Sequence, residues 1–182
     1  MASVYEDIQA LFGKESPPEI GVDDVSKEMI RHWCEAMEDG NPLYTDEGYA
    51  QKSKHGGIIS PPQMVQAWSF GPLWPNGQEI EYRHPELLPK KEKLAPYEMA
   101  MRRLDQAGFT AVVVTRTILE FHRPLFPGDR VTRRIKVADI TPEKKTGLGS
   151  GHFMTMSFIY TNQKGELICN QNLTVLKFKP PQ

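Results

Sequence analysis

The spacing of hydrophobic and polar positions changes partway along the chain. Over Val25–Glu38, reading VSKEMIRHWCEAME, apolar residues recur every three or four positions as Met29, Ile30, Trp33 and Met37. That period gathers them into one stripe of an amphipathic helix and predicts that the stripe faces the core. Ser26 is placed to cap the helix, because its side-chain oxygen can accept a free backbone N–H of the first turn. Asp39-Gly40-Asn41-Pro42 should stop it, since Gly and Pro both break a helix. A short helix is predicted over Thr45–Lys52, with Thr45 or Asp46 as its cap. A third segment, Pro61–Phe70, opens on two prolines, which a first helical turn tolerates because its N–H groups have no partner there. Gln63, Met64, Val65, Ala67, Trp68 and Phe70 make it apolar nearly all round, so it is predicted to be a buried helix.

The back half changes period. Thr110–His122, Arg130–Ile140, Gly151–Asn162 and Leu167–Phe178 are rich in β-branched and aromatic residues and read as long strands. Arg123–Asp129, with Pro124, Pro127 and Gly128, reads as the turn between the first two, and Asn162-Gln163-Lys164-Gly165 as a hairpin between the last two. Consecutive hairpins predict an antiparallel meander. A long antiparallel sheet curled around one hydrophobic helix is a hot-dog arrangement, so the expected class is α+β, one hot-dog domain over residues 1–182. The stretch from about 71 to 108 carries Pro72, Pro75, Pro85, Pro89 and Pro96 with Trp74 and Tyr82, and reads as a long insertion after the central helix. A helix at Tyr97–Gln106 should close it, with Pro96 at its start and Gly108 past its end.

Composition narrows the function. Lys plus Arg total 22 against 23 Asp plus Glu, a net charge of -1, which gives no reason to expect a nucleic acid or an anionic membrane surface as partner. The two cysteines, Cys34 and Cys169, make no CxxC pair or ligand spacing, and so point to a reducing cytoplasm rather than a disulfide framework or zinc site. No apolar run approaches the roughly 18 residues of a membrane span, and MASVYEDIQALFGK has no hydrophobic signal core. None of His32, His55, His84, His122 and His152 pairs with another ligand at metal spacing, so no metal is expected. His55 borders the candidate site in sequence but reads as a loop histidine. Lys90-Lys91-Glu92-Lys93 reads as a solvated loop.

The turn after the first helix, Asp39-Gly40-Asn41-Pro42-Leu43-Tyr44, resembles the hydratase motif of the MaoC-like (R)-specific enoyl-CoA hydratases and dehydratases, Asp-x-Asn-Pro-aliphatic-His. Upstream, VSKEMIRHWCEAMED is similar to the helix that leads into the motif. Downstream, Thr45-Asp46-Glu47-Gly48-Tyr49-Ala50 and Gly56-Gly57-Ile58-Ile59 resemble the stretch leading to the central helix. His122-Arg123-Pro124 to Pro127-Gly128-Asp129 is similar to the second signature, a Pro-x-x-Pro-Gly-Asp turn. The likeness covers about residues 20–178 and looks closest to fatty-acid-synthase-type dehydratase N-domains. Leu104-Asp105-Gln106-Ala107-Gly108-Phe109 and Thr146–Phe153 resemble the larger MaoC-type subunit of bacterial steroid side-chain enoyl-CoA hydratases.

The resemblance implies a hot-dog fold, a 2-enoyl-CoA thioester as substrate, no separate cofactor, and an acyl-CoA site built across a pair of hot-dog domains. In this family an Asp and a His position and deprotonate the attacking water, and a backbone N–H at the start of the central helix binds the thioester oxygen. Asp39 occupies the acid position, but Tyr44 stands in place of the His, and the N–H donor falls on Pro62, which has none. A phenol with an ordinary pKa near 10 is a poor base at neutral pH. Asp39 also has a purely structural reading, as an acceptor for turn amides. By the same likeness Asn41, Tyr44, Gly57, Ile59, Ser60 and Trp68 are expected to line the substrate site, and the insertion to cover or narrow it. The implied function is the supporting half of a heteromeric enoyl-CoA hydratase in steroid side-chain or fatty-acid degradation. Its partner would be a second hot-dog subunit carrying Asp and His. Two alternatives stand beside it: a self-sufficient homodimeric hydratase using Asp39, and a non-enzymatic acyl-CoA-binding module. In such proteins a second domain can follow at the point where Lys177–Gln182 lies.

Overall fold

The computed structural model describes residues 3–71 and 94–180. Its centre is a six-stranded sheet of antiparallel pairs: β1 (Glu19–Ile20), β2 (Ala111–Phe121), β3 (Thr132–Ile140), β4 (Lys144–Thr146), β5 (Gly149–Thr161) and β6 (Leu167–Phe178). The main path runs β1-β3-β5-β6-β2, and β4 pairs with β5 off that path. In β5 the period of two is clear: Met154, Met156, Phe158 and Tyr160 are buried while their neighbours are half-exposed. These side chains join Ile135 and Val137 of β3 in one hydrophobic core, which is shared with the helices.

Five helices accompany the sheet: α1 (Val4–Gln9), α2 (Lys27–Met37), α3 (Pro42–Thr45), α4 (Glu47–Lys52) and α5 (Pro96–Gln106). Both α1 and α5 pack on β3. Ser26 caps α2 as expected, accepting the Met29 N–H at 3.3 Å. The α2 stripe is shifted from the expected one. Ile30 and Cys34 are buried and Trp33 is half-buried, whereas Met29 and Met37 face solvent. Asp46 ends α3 and caps α4, so the single helix expected over Thr45–Lys52 begins only at Glu47. The expected helix at Tyr97–Gln106 is present as α5, which starts one residue earlier at Pro96, and Gly108 follows it at φ 90°.

Two further expectations are corrected. Pro61–Phe70 is not one helix buried all round but two 3-10 turns, Pro62–Val65 and Ala67–Ser69. Met64, Val65, Trp68 and Ser69 are buried, while Gln63, Gln66, Ala67 and Phe70 are exposed. The local bonds explain the tight winding. Met64 N–H reaches Pro61 O, and Ser69 donates both its N–H and its hydroxyl to Gln66 O, which holds the carbonyl in an i to i+3 bond. The strands are also not a simple meander. β2 pairs with β6 and β3 with β5, so Arg123–Asp129 is a crossover between distant strands rather than a hairpin turn. The hairpin at Asn162–Gly165 is as predicted: Gly165 has φ 78° and its N–H bonds Asn162 O at 2.9 Å. Residues 72–93, most of the expected insertion and all of Lys90–Lys93, lie outside the described residues.

Candidate functional site

The turn after α2 is built by its own backbone. Glu38 takes the left-handed conformation at φ 54°, and the Asp39 N–H then closes on Cys34 O at 2.9 Å. From there the bonds run forward in steps of two residues. Asp39 Oδ1 accepts the Asn41 N–H at 3.1 Å, and Asn41 Oδ1 accepts the Leu43 N–H at 3.1 Å, capping α3 with Pro42 in its first turn. One carboxylate oxygen of Asp39 is therefore engaged in the turn. Tyr44 completes the cluster from the end of α3 and is half-buried against the core. Its phenol pKa is raised first by burial and then by the Asp39 carboxylate, while a hydrogen bond with the Asn41 side chain works the other way. At neutral pH Tyr44 keeps its proton and is a hydrogen-bond donor, not a base.

A second group forms where Ile59, Ser60, Pro61 and Pro62 meet the crossover after β2. Ile59 N–H bonds Leu43 O at 3.3 Å, and Ser60 N–H bonds Leu125 O at 2.8 Å, which stitches this segment to α3 on one side and to the crossover on the other. Between the crossover and this segment opens a cavity of about 300 Å³. Ile59, Pro61, Pro62, Val65, Phe121, Leu125 and Ile168 make it largely apolar, and His55, His122 and Arg123 add polar groups. Pro62 offers it no N–H. The hydroxyl of buried Ser60 is also committed: it accepts the Trp68 indole N–H at 2.8 Å and donates to Pro61 O at 3.3 Å.

The structure thus places the sequence-expected residues in two neighbouring groups. Asp39, Asn41 and Tyr44 sit together in the turn. Ile59 and Ser60 line the cavity beside Pro62, and Trp68 supports Ser60 from the core. Gly57 is half-buried in the loop between them. Sequence reasoning missed Phe121, His122, Arg123, Leu125 and Ile168 as cavity walls, and it read His55, beside the site in sequence, as a loop histidine where the structure holds it half-buried against the cavity. The available signal was the His122–Asp129 signature. Asp129, buried, accepts the Phe126 N–H at 3.0 Å, an Arg123 guanidinium N–H at 3.2 Å and the Asn162 amide at 3.3 Å. Arg123 also pairs with Glu166, so its charge is already matched within the fold. The Asn170 side-chain amide nitrogen lies 3.1 Å from His122 Nε2, within hydrogen-bond reach. Among the described residues no three His, Cys, Asp or Glu side chains gather as a metal site, and no helix is long and apolar enough to cross a membrane.

Comparison with known proteins agrees with this architecture. Residues 10–171 match the family described as FAS1-like, dehydratase domain region. The chain is 37% identical over 174 residues to a probable enoyl-CoA hydratase alpha subunit of Thermomonospora curvata, covering 95% of this chain and 51% of that protein. It is 34% identical over 166 residues to the 3-oxo-4,17-pregnadiene-20-carboxyl-CoA hydratase alpha subunit of Mycobacterium tuberculosis, covering 91% of this chain and 48% of that one. The chain therefore spans about half the length of these two curated relatives. Among solved structures it superposes on a chain of the ChsH1-ChsH2 complex of Mycobacterium tuberculosis with a TM-score of 0.78 at 30% identity, covering 98% of this chain and 91% of that one. A MaoC-like dehydratase of Rhodospirillum rubrum shares the fold, with a TM-score of 0.56 at 20% identity over 93% of this chain and 92% of that one.

Proposed function

Because the chain belongs to the FAS1-like dehydratase region family, we propose that it is the supporting, non-catalytic half of a 2-enoyl-CoA hydratase. Its catalytic Asp and His come from a second hot-dog subunit. The reaction adds water across the double bond conjugated to a CoA thioester, with hydroxyl going to the β-carbon and a proton to the α-carbon. One observation carries the reading: the cavity is intact, yet neither group that would drive chemistry stands beside it. Tyr44 holds its proton, Pro62 lends no N–H, and Asp39 is engaged by the Asn41 amide. What remains is an apolar wall, suited to an acyl group. The names of the two alpha-subunit relatives and of the two-component solved complex support a heteromeric assembly. The steroid-derived substrate named for the mycobacterial relative makes a bulky polycyclic acyl group the first to test. No further cofactor enters this scheme. The free, buried thiols of Cys34 and Cys169 fit a reducing cytoplasm.

The test is a hydration assay that follows loss of the conjugated enoyl-CoA absorbance, first with this chain alone and then with the hot-dog subunit encoded beside it. Turnover only in the mixture is expected. Turnover by the chain alone refutes the reading and returns Asp39 to a catalytic role. Asp39→Asn in the mixture should leave kcat within about threefold, whereas loss of about a thousandfold would mean that Asp39 acts on the water.

A further inference from the structure

Of the histidines among the described residues, all but one have a polar neighbour. His152 is buried with Nδ1 2.8 Å from Thr141 O, His122 Nε2 lies 3.1 Å from the Asn170 amide nitrogen, and His32 Nδ1 lies 3.7 Å from Glu35. His55 is the exception. Its imidazole has no hydrogen bond, ion pair or ring contact among the described residues, yet it is half-buried and lines the cavity of about 300 Å³.

A local turn, not the imidazole, fixes this position. The Ser53 hydroxyl donates to Ala50 O at 2.6 Å and accepts the His55 N–H at 3.1 Å, and the Gly56 N–H closes on Ser53 O at 3.2 Å. Gly56 then turns the chain at φ 69°, which glycine adopts without strain. Both ring nitrogens of His55 are therefore left over, and an imidazole always carries at least one N–H. The other polar groups of the cavity are already engaged. Pro62 has no N–H, the Ser60 hydroxyl is held by Trp68 and Pro61 O, and the Arg123 guanidinium by Asp129 and Glu166. A ligand oxygen that enters this largely apolar space gives up its water and costs affinity unless it finds a donor. One uncommitted polar group in an apolar cavity is also what fixes a ligand's orientation.

We infer that His55 is the hydrogen-bond donor that recognises a carbonyl oxygen of the ligand in this cavity, while the apolar wall takes the hydrocarbon beside it. The ligand class, an acyl-CoA, rests on the reading proposed above. What is added is the atom recognised and the residue that recognises it. Two carbonyls of such a ligand have the right chemistry: the thioester C=O, and a ketone carried on the body of the acyl group.

Calorimetric titration with three saturated CoA ligands tests this and separates the two sources. They are cyclohexylpropanoyl-CoA, the thioether cyclohexylpropyl-CoA, which lacks the thioester oxygen, and oxo-cyclohexylpropanoyl-CoA, which adds a ketone to the ring. Each is titrated into the purified chain, and into the chain together with the hot-dog subunit encoded beside it. His55→Phe keeps a ring in place and removes its nitrogens. It should weaken by about tenfold the binding of each ligand whose oxygen His55 holds, and leave the thioether within about twofold of wild type. Loss for both thioesters assigns the thioester carbonyl, and loss for the oxo ligand alone assigns the ketone. Unchanged thioether binding shows that the variant is folded with its cavity intact. An equal loss for all three ligands, no loss for any, or a wild type that binds none of them would overturn the inference. None of the three has the conjugated double bond, so none can be hydrated, and these affinities are read whether or not the hydration assay succeeds.

Discussion

Asp129→Ala should unfold the crossover that walls the cavity. Asp129 is 6% exposed, and its two oxygens accept from the Phe126 N–H, the Arg123 guanidinium and the Asn162 amide. These bonds do not all fail equally when the carboxylate is removed. Arg123 keeps Glu166, and Asn162 keeps Glu166 Oε2 at 2.7 Å, so two of the three donors retain an acceptor. The Phe126 N–H is left with none, and a buried orphan donor costs about 1–3 kcal/mol. Loss of the half-buried charge pair adds about 1 kcal/mol, less than the roughly 3–5 kcal/mol of a fully broken buried pair because Arg123 has its second carboxylate. The sum is about 2–4 kcal/mol, a large fraction of the roughly 5–15 kcal/mol that holds a domain of this size. Urea denaturation read by tryptophan fluorescence should show the midpoint falling with the slope unchanged. Asp129→Asn should lose about 1 kcal/mol less, since one oxygen can still accept from Phe126. A change below about 0.5 kcal/mol in Asp129→Ala would refute the claim that this side chain holds the crossover.

Three other outcomes follow from single contacts. Tyr160 is fully buried and donates to the Gln171 side-chain oxygen at 2.7 Å, so Tyr160→Phe strands that acceptor and should cost about 1–3 kcal/mol by chemical denaturation. Burial, and then the nearby charges of Glu19 and Glu98, push the Tyr97 phenol up to about 12. The unfolded chain gives up this proton near pH 10 and the folded chain only near 12, so between those values the native state binds more protons. Stability should therefore be full below pH 10 and fall as pH rises towards 12, and the urea midpoint across that range checks the sign. Burial raises the Cys34 thiol and pushes Cys169 up to about 11. At pH 8 a thiol reagent such as Ellman's should then react slowly with native protein and release two equivalents only in denaturant.

What the sequence disclosed and what it concealed divide by the range of the interactions. The helix cap at Ser26, the turn from Asp39 to Tyr44, the start and end of α5 and the Gly165 hairpin each rest on bonds between residues a few positions apart, and all could be read from local spacing. The four long strands were legible because β-branched and aromatic residues mark them within a residue or two of their ends, whereas the two short ones, β1 and β4, were not. Their partners were not. Arg123–Asp129 has the Pro and Gly of a turn, and such chemistry serves a hairpin and a crossover alike. Only the pairing of β2 with β6, between residues as far apart as Ala111 and Phe178, distinguishes the two. In α2 the period of the apolar residues was right, but the period alone does not say which of them faces inward, and the core selected Ile30 and Cys34 over Met29 and Met37. The cavity was concealed for the same reason, because its walls come from Ile59–Val65, Phe121–Leu125 and Ile168.

This division bears on what the proposed supporting half of a hydratase would retain. The bonds that shape the cavity run from Ile59 N–H to Leu43 O, from Ser60 N–H to Leu125 O, and from Asn41 to the first turn of α3. None of them uses the side chain of residue 44 or an N–H at residue 62. A base can therefore give way to Tyr44, and an oxyanion donor to Pro62, with the wall left standing. Proline at that position even suits the tight 3-10 turn that follows it. Asn41 and Pro42 are required by the α3 cap whether or not water is activated nearby, and Asp39 is held in the turn by its bond from the Asn41 amide. Under the proposed function, Tyr44 in place of a base and Pro62 in place of an oxyanion donor, with Asp39, Asn41 and Pro42 kept for the turn, are what a subunit that shapes a site for another chain's chemistry would carry. Substitutions at Leu125, Ile168 or Val65 that alter the volume of the apolar wall should then shift acyl preference in the assembled enzyme, and Tyr44→His alone should not create turnover while Pro62 remains.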